Sequence, residues 1–206
     1  MKKTAFLPLS IAIVLSISCN SDNDNNLSKV TMLTNKTGEV VVFMAGKGSV
    51  TIDWGDKTAK ETHILFDPFY GTHDYSHTYS DSISHVITLT GENITQLECE
   101  KIRLTNLDVS KNVALTHLWC SSNQLTSLDL SKNKALTFLD CGANQLTSLD
   151  ISNNTSLTQL WCPFNQLTGL DISNNTALTT LSYPRNKIKD LDLSKKHCAD
   201  IFALRR

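Results

Sequence analysis

Leu115-Thr116-His117-Leu118-Trp119-Cys120-Ser121-Ser122-Asn123-Gln124-Leu125 spells L-x-x-L-x-C-x-x-N-x-L. The same spacing returns at Leu136 to Leu146, at Leu157 to Leu167 and at Leu178 to Ile188, each step 21 residues, with Tyr183 in the last Cys slot. Working outward, the period aligns Leu104, Leu125, Leu146, Leu167 and Ile188 in one column and Leu107, Leu128, Leu149, Leu170 and Leu191 in another. Ile94, Leu97 and Cys99 fall in the columns of Leu115, Leu118 and Cys120, so an imperfect first unit precedes the regular ones.

A single 21-residue unit buries too little apolar surface to offset the entropy of ordering its own chain, so the units must stack on one another. The motif is the leucine-rich-repeat signature, and the expected fold is mainly β: a leucine-rich-repeat solenoid preceded by a small β-sandwich. Alternation within Leu118-Trp119-Cys120 points Leu118 and Cys120 into the core and His117, Trp119 and Ser121 outward. These segments are expected to pair in parallel along the concave face. A 21-residue coil has little room for a return helix, so turns, 3₁₀ segments or short extended pieces are expected opposite. The column Asn123, Asn144, Asn165 and Asn186 reads as the turn-closing position, where an amide side chain satisfies backbone groups from coil to coil. The column Asp108, Asp129, Asp150, Asp171 and Asp192 is expected to face solvent; a row of cation sites is the competing reading, disfavoured because calcium needs more oxygen ligands than one column supplies.

The concave face can vary without breaking the stack. Its outward residues are Gln96, Glu98 and Glu100; His117, Trp119 and Ser121; Phe138, Asp140 and Gly142; Gln159, Trp161 and Pro163; Thr180, Ser182 and Pro184. Exposed aromatics beside polar groups are what binding surfaces enrich, so His117, Trp119, Phe138, Asp140, Gln159 and Trp161 form the candidate ligand-binding set. Trp119 and Trp161 are two coils apart, roughly 10 Å, with Asp140 between them. The competing reading is that these rings only pack on one another. Cys99, Cys120, Cys141 and Cys162 recur at the repeat period; side by side in a dry core they are expected to be reduced thiols, not disulfides and not metal ligands, which would have to converge on a point.

From about Val30 to Thr90 the pattern is of strands: Val40 to Met44, Ser49 to Asp53 and His85 to Thr90 are alternating or β-branched runs. Ile52-Asp53-Trp54-Gly55-Asp56, followed by His77-Thr78-Tyr79 and Val86-Ile87-Thr88-Leu89, resembles the polycystic-kidney-disease-type domain of extracellular proteins, with Trp54 as a core anchor. His63, His73, His77 and His85 sit in strand and loop, where the four-residue spacing of His73 and His77 does not bring ligands together, so a structural or surface role is expected. His73, Asp74 and Ser76 are too close along an extended chain to converge as a triad. With no column offering acid, base and nucleophile in one pocket, catalysis is the least supported class, and neither a metal nor a cofactor is expected.

Lys2 and Lys3 precede an apolar run from Ala5 to Ile17 that is too short to span a bilayer, as in an export signal. Ser16-Ile17-Ser18-Cys19 resembles a bacterial lipoprotein signal, which implies lipidation of Cys19 and removal of residues 1–18; the other reading is an ordinary cleaved signal. Asn20 to Asn26 reads as a flexible acidic tether, with residues 19–29 as the connecting segment. It resembles the export tag of surface lipoproteins in Bacteroidetes-type bacteria, which implies the outer face of the outer membrane; secreted or periplasmic location is the alternative. The chain carries 19 basic and 20 acidic residues, and without Lys2 and Lys3 there are 17 against 20, net −3. No basic patch marks a nucleic-acid surface.

The expected organisation is a signal (1–18), a tether (19–29), a β-sandwich (30–92) and a solenoid (93–206). Lys195-Lys196-His197-Cys198-Ala199-Asp200 breaks the period, and Phe202 alone is expected to hold the Leu118 column, a weak cap from which a homodimer through this end is expected. As a whole the chain resembles internalin-like leucine-rich-repeat surface lipoproteins. That resemblance implies a cell-surface adhesion module recognising an unidentified protein through the concave face. Glycan capture through Trp119 and Trp161, and a passive spacer, are the alternatives.

Overall fold

The computed structural model describes residues 27–70, 73–189, 191 and 202–204. The export signal, Cys19, the tether up to residue 26 and the C-terminal stretch 192–201 lie outside the described residues. The strands are β1 (Ser28–Thr34), β2 (Gly38–Asp53), β3 (Glu61–Ile64), β4 (His73–Tyr79), β5 (His85–Glu98), β6 (Leu104–Asp108), β7 (His117–Trp119), β8 (Phe138–Asp140), β9 (Gln159–Trp161), β10 (Thr180–Ser182) and β11 (Phe202–Leu204). Among the described residues a 3₁₀ turn at Pro68–Tyr70 is the only helical element. The fold is mainly β, a solenoid of 21-residue coils whose return segments are turns and bends.

The three-residue strands β7 to β10 stack in parallel and in register, Leu118 beside Leu139, Leu160 and Leu181. Every leucine of that row is fully buried, as are Cys99, Cys120, Cys141 and Cys162, all four free thiols. Burial pushes each thiol well up from its ordinary range, that of Cys162 to about 12. The expected row of reduced, buried cysteines is what the core contains.

Side chains bond each coil to the next. Asn144 accepts the Leu125 N–H at 3.0 Å and donates to the carbonyls of Cys120 at 3.0 Å, Cys141 at 3.1 Å and Gly142 at 3.2 Å. Asn123 and Asn165 repeat the pattern one coil away on either side. A second ladder, Asn112, Asn133, Asn154 and Asn175, is fully buried; Asn154, for example, donates to Leu130 O at 3.1 Å and Asn133 O at 2.9 Å. A third joins Thr116, Thr137, Thr158 and Thr179, each hydroxyl donating to the carbonyl of the residue 21 positions earlier at 2.9–3.1 Å. Lys101, Ser122, Ala143, Phe164 and Arg185, one per coil, hold positive φ between 50° and 59° at the turn leaving each strand.

The N-terminal part is built from two long bent strands. β2 pairs with β4 through its first half and with β3 through its second, and pairs with β5 from Phe43 to Asp53. The register slips between Ala45 and Gly46 and again between Lys47 and Val50, which bends β2. Gly46 is required there, since a Cβ would lie 2.0 Å from the Asn93 carbonyl oxygen. The bend brings the far end of β2 back over β4: Tyr79 donates to the Trp54 carbonyl at 2.6 Å, and Trp54 stacks on His77 with centroids 5.1 Å apart. Trp54 is 1% exposed and donates to Glu61 at 3.0 Å, so it is a core residue. The histidines have local acidic partners, His77 with Asp56 at 2.6 Å, His85 with Asp81 at 2.8 Å and His63 with Glu61 at 3.0 Å, while His73 stacks on Phe66.

The two parts share one sheet and one core. β5 runs unbroken through position 92, where a domain division was expected; its first half pairs with β1 and its last three residues pair in parallel with β7. On the return side of the first coil, β6 pairs with β1. The first coil is therefore held to the N-terminal part at its strand and at its return segment. At the other end β11 continues the sheet, with Phe202 paired to Thr180 and Ala203 to Leu181. The expected alignment of Phe202 with Leu181 is thus off by one: the step from 180 to 202 takes 22 residues instead of 21, so the irregular segment carries one residue more than a coil.

Candidate functional site

The outward residues of the parallel strands form two rows set by the pairing. Gln96, His117, Phe138, Gln159 and Thr180 make one, and Glu98, Trp119, Asp140, Trp161 and Ser182 the other. All six candidate residues lie on this face, Gln159 exposed and the others half-buried. Ser182, also expected outward, is buried; its register neighbours are Trp161 and Leu204.

His117, Trp119 and Phe138 are brought into one aromatic cluster. The His117 ring lies 5.6 Å from Trp119 and 6.0 Å from Phe138, and Trp119 meets Phe138 at 4.8 Å with planes tilted by 36°. Burial lowers the His117 pKa, and its Nδ1 lies 2.9 Å from the Thr116 hydroxyl, so the ring belongs to the cluster as a neutral imidazole near neutral pH. Trp161 stands apart on the far side of Asp140. Its indole N–H is shielded from solvent and has no acceptor among the described residues.

Asp140 accepts the Gly142 N–H at 2.9 Å, yet its pKa is raised, mainly by burial and further by the charge of Glu100, against the lowering pull of that hydrogen bond. Glu98 is raised by burial and by Glu100. Glu100 in turn accepts a hydrogen bond from the Ser121 hydroxyl. None of the outward positions from Gln96 to Pro184 is Lys or Arg. Beside this acidic, aromatic stretch an exposed phenylalanine, Phe164, projects from the positive-φ column with 59% of its surface in water.

The aspartate column has a different task. Asp108, Asp129, Asp150 and Asp171 are exposed, and each accepts the N–H of the serine two residues on at 2.8–2.9 Å. These contacts lower the carboxyls of Asp108, Asp129 and Asp150 below their ordinary value. The column therefore closes a turn in each coil. Among the described residues no group of three or more His, Cys, Asp or Glu is placed to hold a metal ion.

Three features of this region were not drawn from the sequence. The second asparagine ladder recurs in the period at Asn112, Asn133, Asn154 and Asn175, but in return segments that the sequence marks only as turns or short extended pieces. Phe164 and the positive-φ column share a conformation and no chemistry, so no residue type marked them. The grouping of Glu98 and Glu100 with Asp140 required the register across three strands.

Neither a protein-family model nor a curated protein matches the chain. Solved structures do. The functional domain of InlJ from Listeria monocytogenes, described as including a cysteine ladder, is 40% identical with a TM-score of 0.51, over 54% of this chain and 24% of that one. Internalin C2 from the same organism is 23% identical over 48% of this chain and 46% of that one, TM-score 0.44, and its internalin F is 24% identical over 45% and 32%, TM-score 0.37. The chain spans about a quarter of the InlJ structure. Its fold is thus similar to that of an internalin leucine-rich-repeat domain.

Proposed function

We propose that the protein is a surface-displayed, non-catalytic adhesion module that recognises a protein partner through the outward face of its parallel strands, with His117, Trp119, Phe138, Asp140, Gln159 and Trp161 as contact residues. One observation carries the reading. The columns that repeat in every coil are engaged in holding coil to coil, whereas the outward rows differ from coil to coil and present aromatics and half-buried carboxyls. The likeness to the InlJ domain supports an interaction module of this general kind.

In this reading the Ser16 to Cys19 segment directs lipidation of Cys19, residues 19–29 tether the protein to the outer face of an outer membrane, and the N-terminal strands act as a polycystic-kidney-disease-like spacer. Secretion without the lipid is the alternative. A homodimer through the β11 end is part of the proposal; light scattering on the full chain in detergent should then give twice the monomer mass after the detergent is subtracted.

The protein-partner reading is tested by saturation binding of the full chain to intact epithelial and bacterial cells before and after protease treatment. Binding that saturates and is removed by protease supports it. Binding that survives protease and is lost after glycosidase would replace it with glycan capture on Trp119 and Trp161, and no saturable binding would leave a passive spacer.

A further inference from the structure

The outward face has a charge character of its own. Glu98, Trp119 and Asp140 are register neighbours on three adjacent strands, so their side chains share one face with the indole in the middle. At one strand spacing per step the two carboxylates flank the ring at about 5 Å on either side of it. Phe138 and His117 pack against that ring and limit its freedom to turn. Neither Glu98 nor Asp140 is in an ion pair among the described residues; the pairs present are Lys60 with Asp53 and three histidines with carboxylates of the N-terminal strands. Burial, with the charge of Glu100, leaves both carboxyls shifted upward, the charge of Lys101 offsetting part of the shift at Glu98 and the Gly142 N–H part of that at Asp140.

We infer that this face receives an arginine side chain of a protein partner, its guanidinium lying on Trp119 between the carboxylates of Glu98 and Asp140. The inference rests on the protein-partner reading above and deepens it. A guanidinium is planar and weakly hydrated, so it stacks on an indole while its edges donate to carboxylates at either side, a geometry a compact ammonium does not match. A single divalent cation does not fit, because carboxylates separated by two strand spacings, roughly 10 Å, cannot both ligate an ion at about 2.4 Å. That the guanidinium comes on a polypeptide follows from the protein-partner reading, arginine being the residue that carries a guanidinium.

The test titrates the full chain with an octa-arginine peptide and with its octa-citrulline counterpart, which keeps the shape and hydrogen-bond donors and removes the charge, following tryptophan fluorescence. The Glu98→Gln/Asp140→Asn double variant should bind octa-arginine about tenfold more weakly, and Trp119→Phe severalfold more weakly. Asp108→Asn/Asp129→Asn, the same change of charge on the turn column, should alter binding less than about twofold. Circular dichroism melting of each variant confirms the fold, and Trp119→Phe keeps an aromatic in place should the double variant prove unstable. Equal weakening by the two double variants, or citrulline binding as well as arginine, would overturn the inference. If the cell binding tested above is kept in Glu98→Gln/Asp140→Asn but lost in Trp119→Ala/Trp161→Ala, the arginine inference fails and the protein-partner reading stands.

Discussion

The carboxylates on the two sides of the solenoid are held in opposite ways. On the turn side Asp108, Asp129 and Asp150 are bonded to the serine two residues on, and this favours their charged form. On the strand side Glu98 and Asp140 are partly removed from water beside the charge of Glu100, and this disfavours it, outweighing the pull of Lys101 on Glu98. The sign of the linkage follows. A carboxyl whose folded pKa is lowered stabilises the fold above its unfolded value, about 4, and that support is lost as pH falls through the lower folded value. A carboxyl whose folded pKa is raised opposes folding once ionised, and that opposition lifts as pH falls through the raised value. The first arrangement recurs at Asp108, Asp129, Asp150 and Asp171, and only part of the strand face carries the second. In this molecule the repeated residues build the stack, and the residues that break the repeat carry the features that cost stability.

The largest effect should come from the repeated side of that contrast. Asn144→Ala removes an acceptor and a donor shared among four backbone groups and should lower unfolding free energy in urea by about 4 kcal/mol, through the buried groups left unpaired. An effect under about 1 kcal/mol would mean that water replaces the ladder and that the columns are not what holds the coils. The strand face should respond with the opposite sign: Glu98→Gln/Asp140→Asn should raise the melting temperature at pH 7 by roughly 2 °C and leave it unchanged near pH 3, measured by calorimetry. A lower melting temperature at pH 7 would show these carboxylates to be structural after all. Smaller still, Ala143→Gly should add about 0.5 kcal/mol by relieving a non-glycine residue at φ 50°. The thiols give a check on the core between the two sides: Cys99, Cys120, Cys141 and Cys162 should resist alkylation at pH 8 in the native protein and react together on denaturation.

Much of this contrast was legible in the sequence, because a 21-residue period converts residue type into position. Leu118, Cys120 and Asn123 could each be assigned a place in the coil, and the strand alternation gave the outward set to which Trp119 and Asp140 belong. The period says nothing where a position is fixed by backbone conformation alone, which is why no residue type marks Lys101, Ser122, Ala143, Phe164 and Arg185. It also fails where partners are far apart in an aperiodic stretch. That β1 would cross to β6, pairing Met32 with Leu107, and that β5 would run through the expected boundary into the stack, depends on contacts with no repeat to announce them. Within the candidate site, the sequence placed all six residues on one face. Only the register showed that His117, Trp119 and Phe138 cluster while Trp161 stands apart with an unmet donor.

The most direct test of the strand face as the binding surface is saturation binding of the full chain to intact cells, comparing Trp119→Ala/Trp161→Ala with the turn-side pair Asp129→Asn/Asp150→Asn. Loss of at least about tenfold in affinity for the tryptophan variant, with the aspartate variant binding as the unaltered protein does, is the result this account predicts. Equal binding by all three proteins would contradict it.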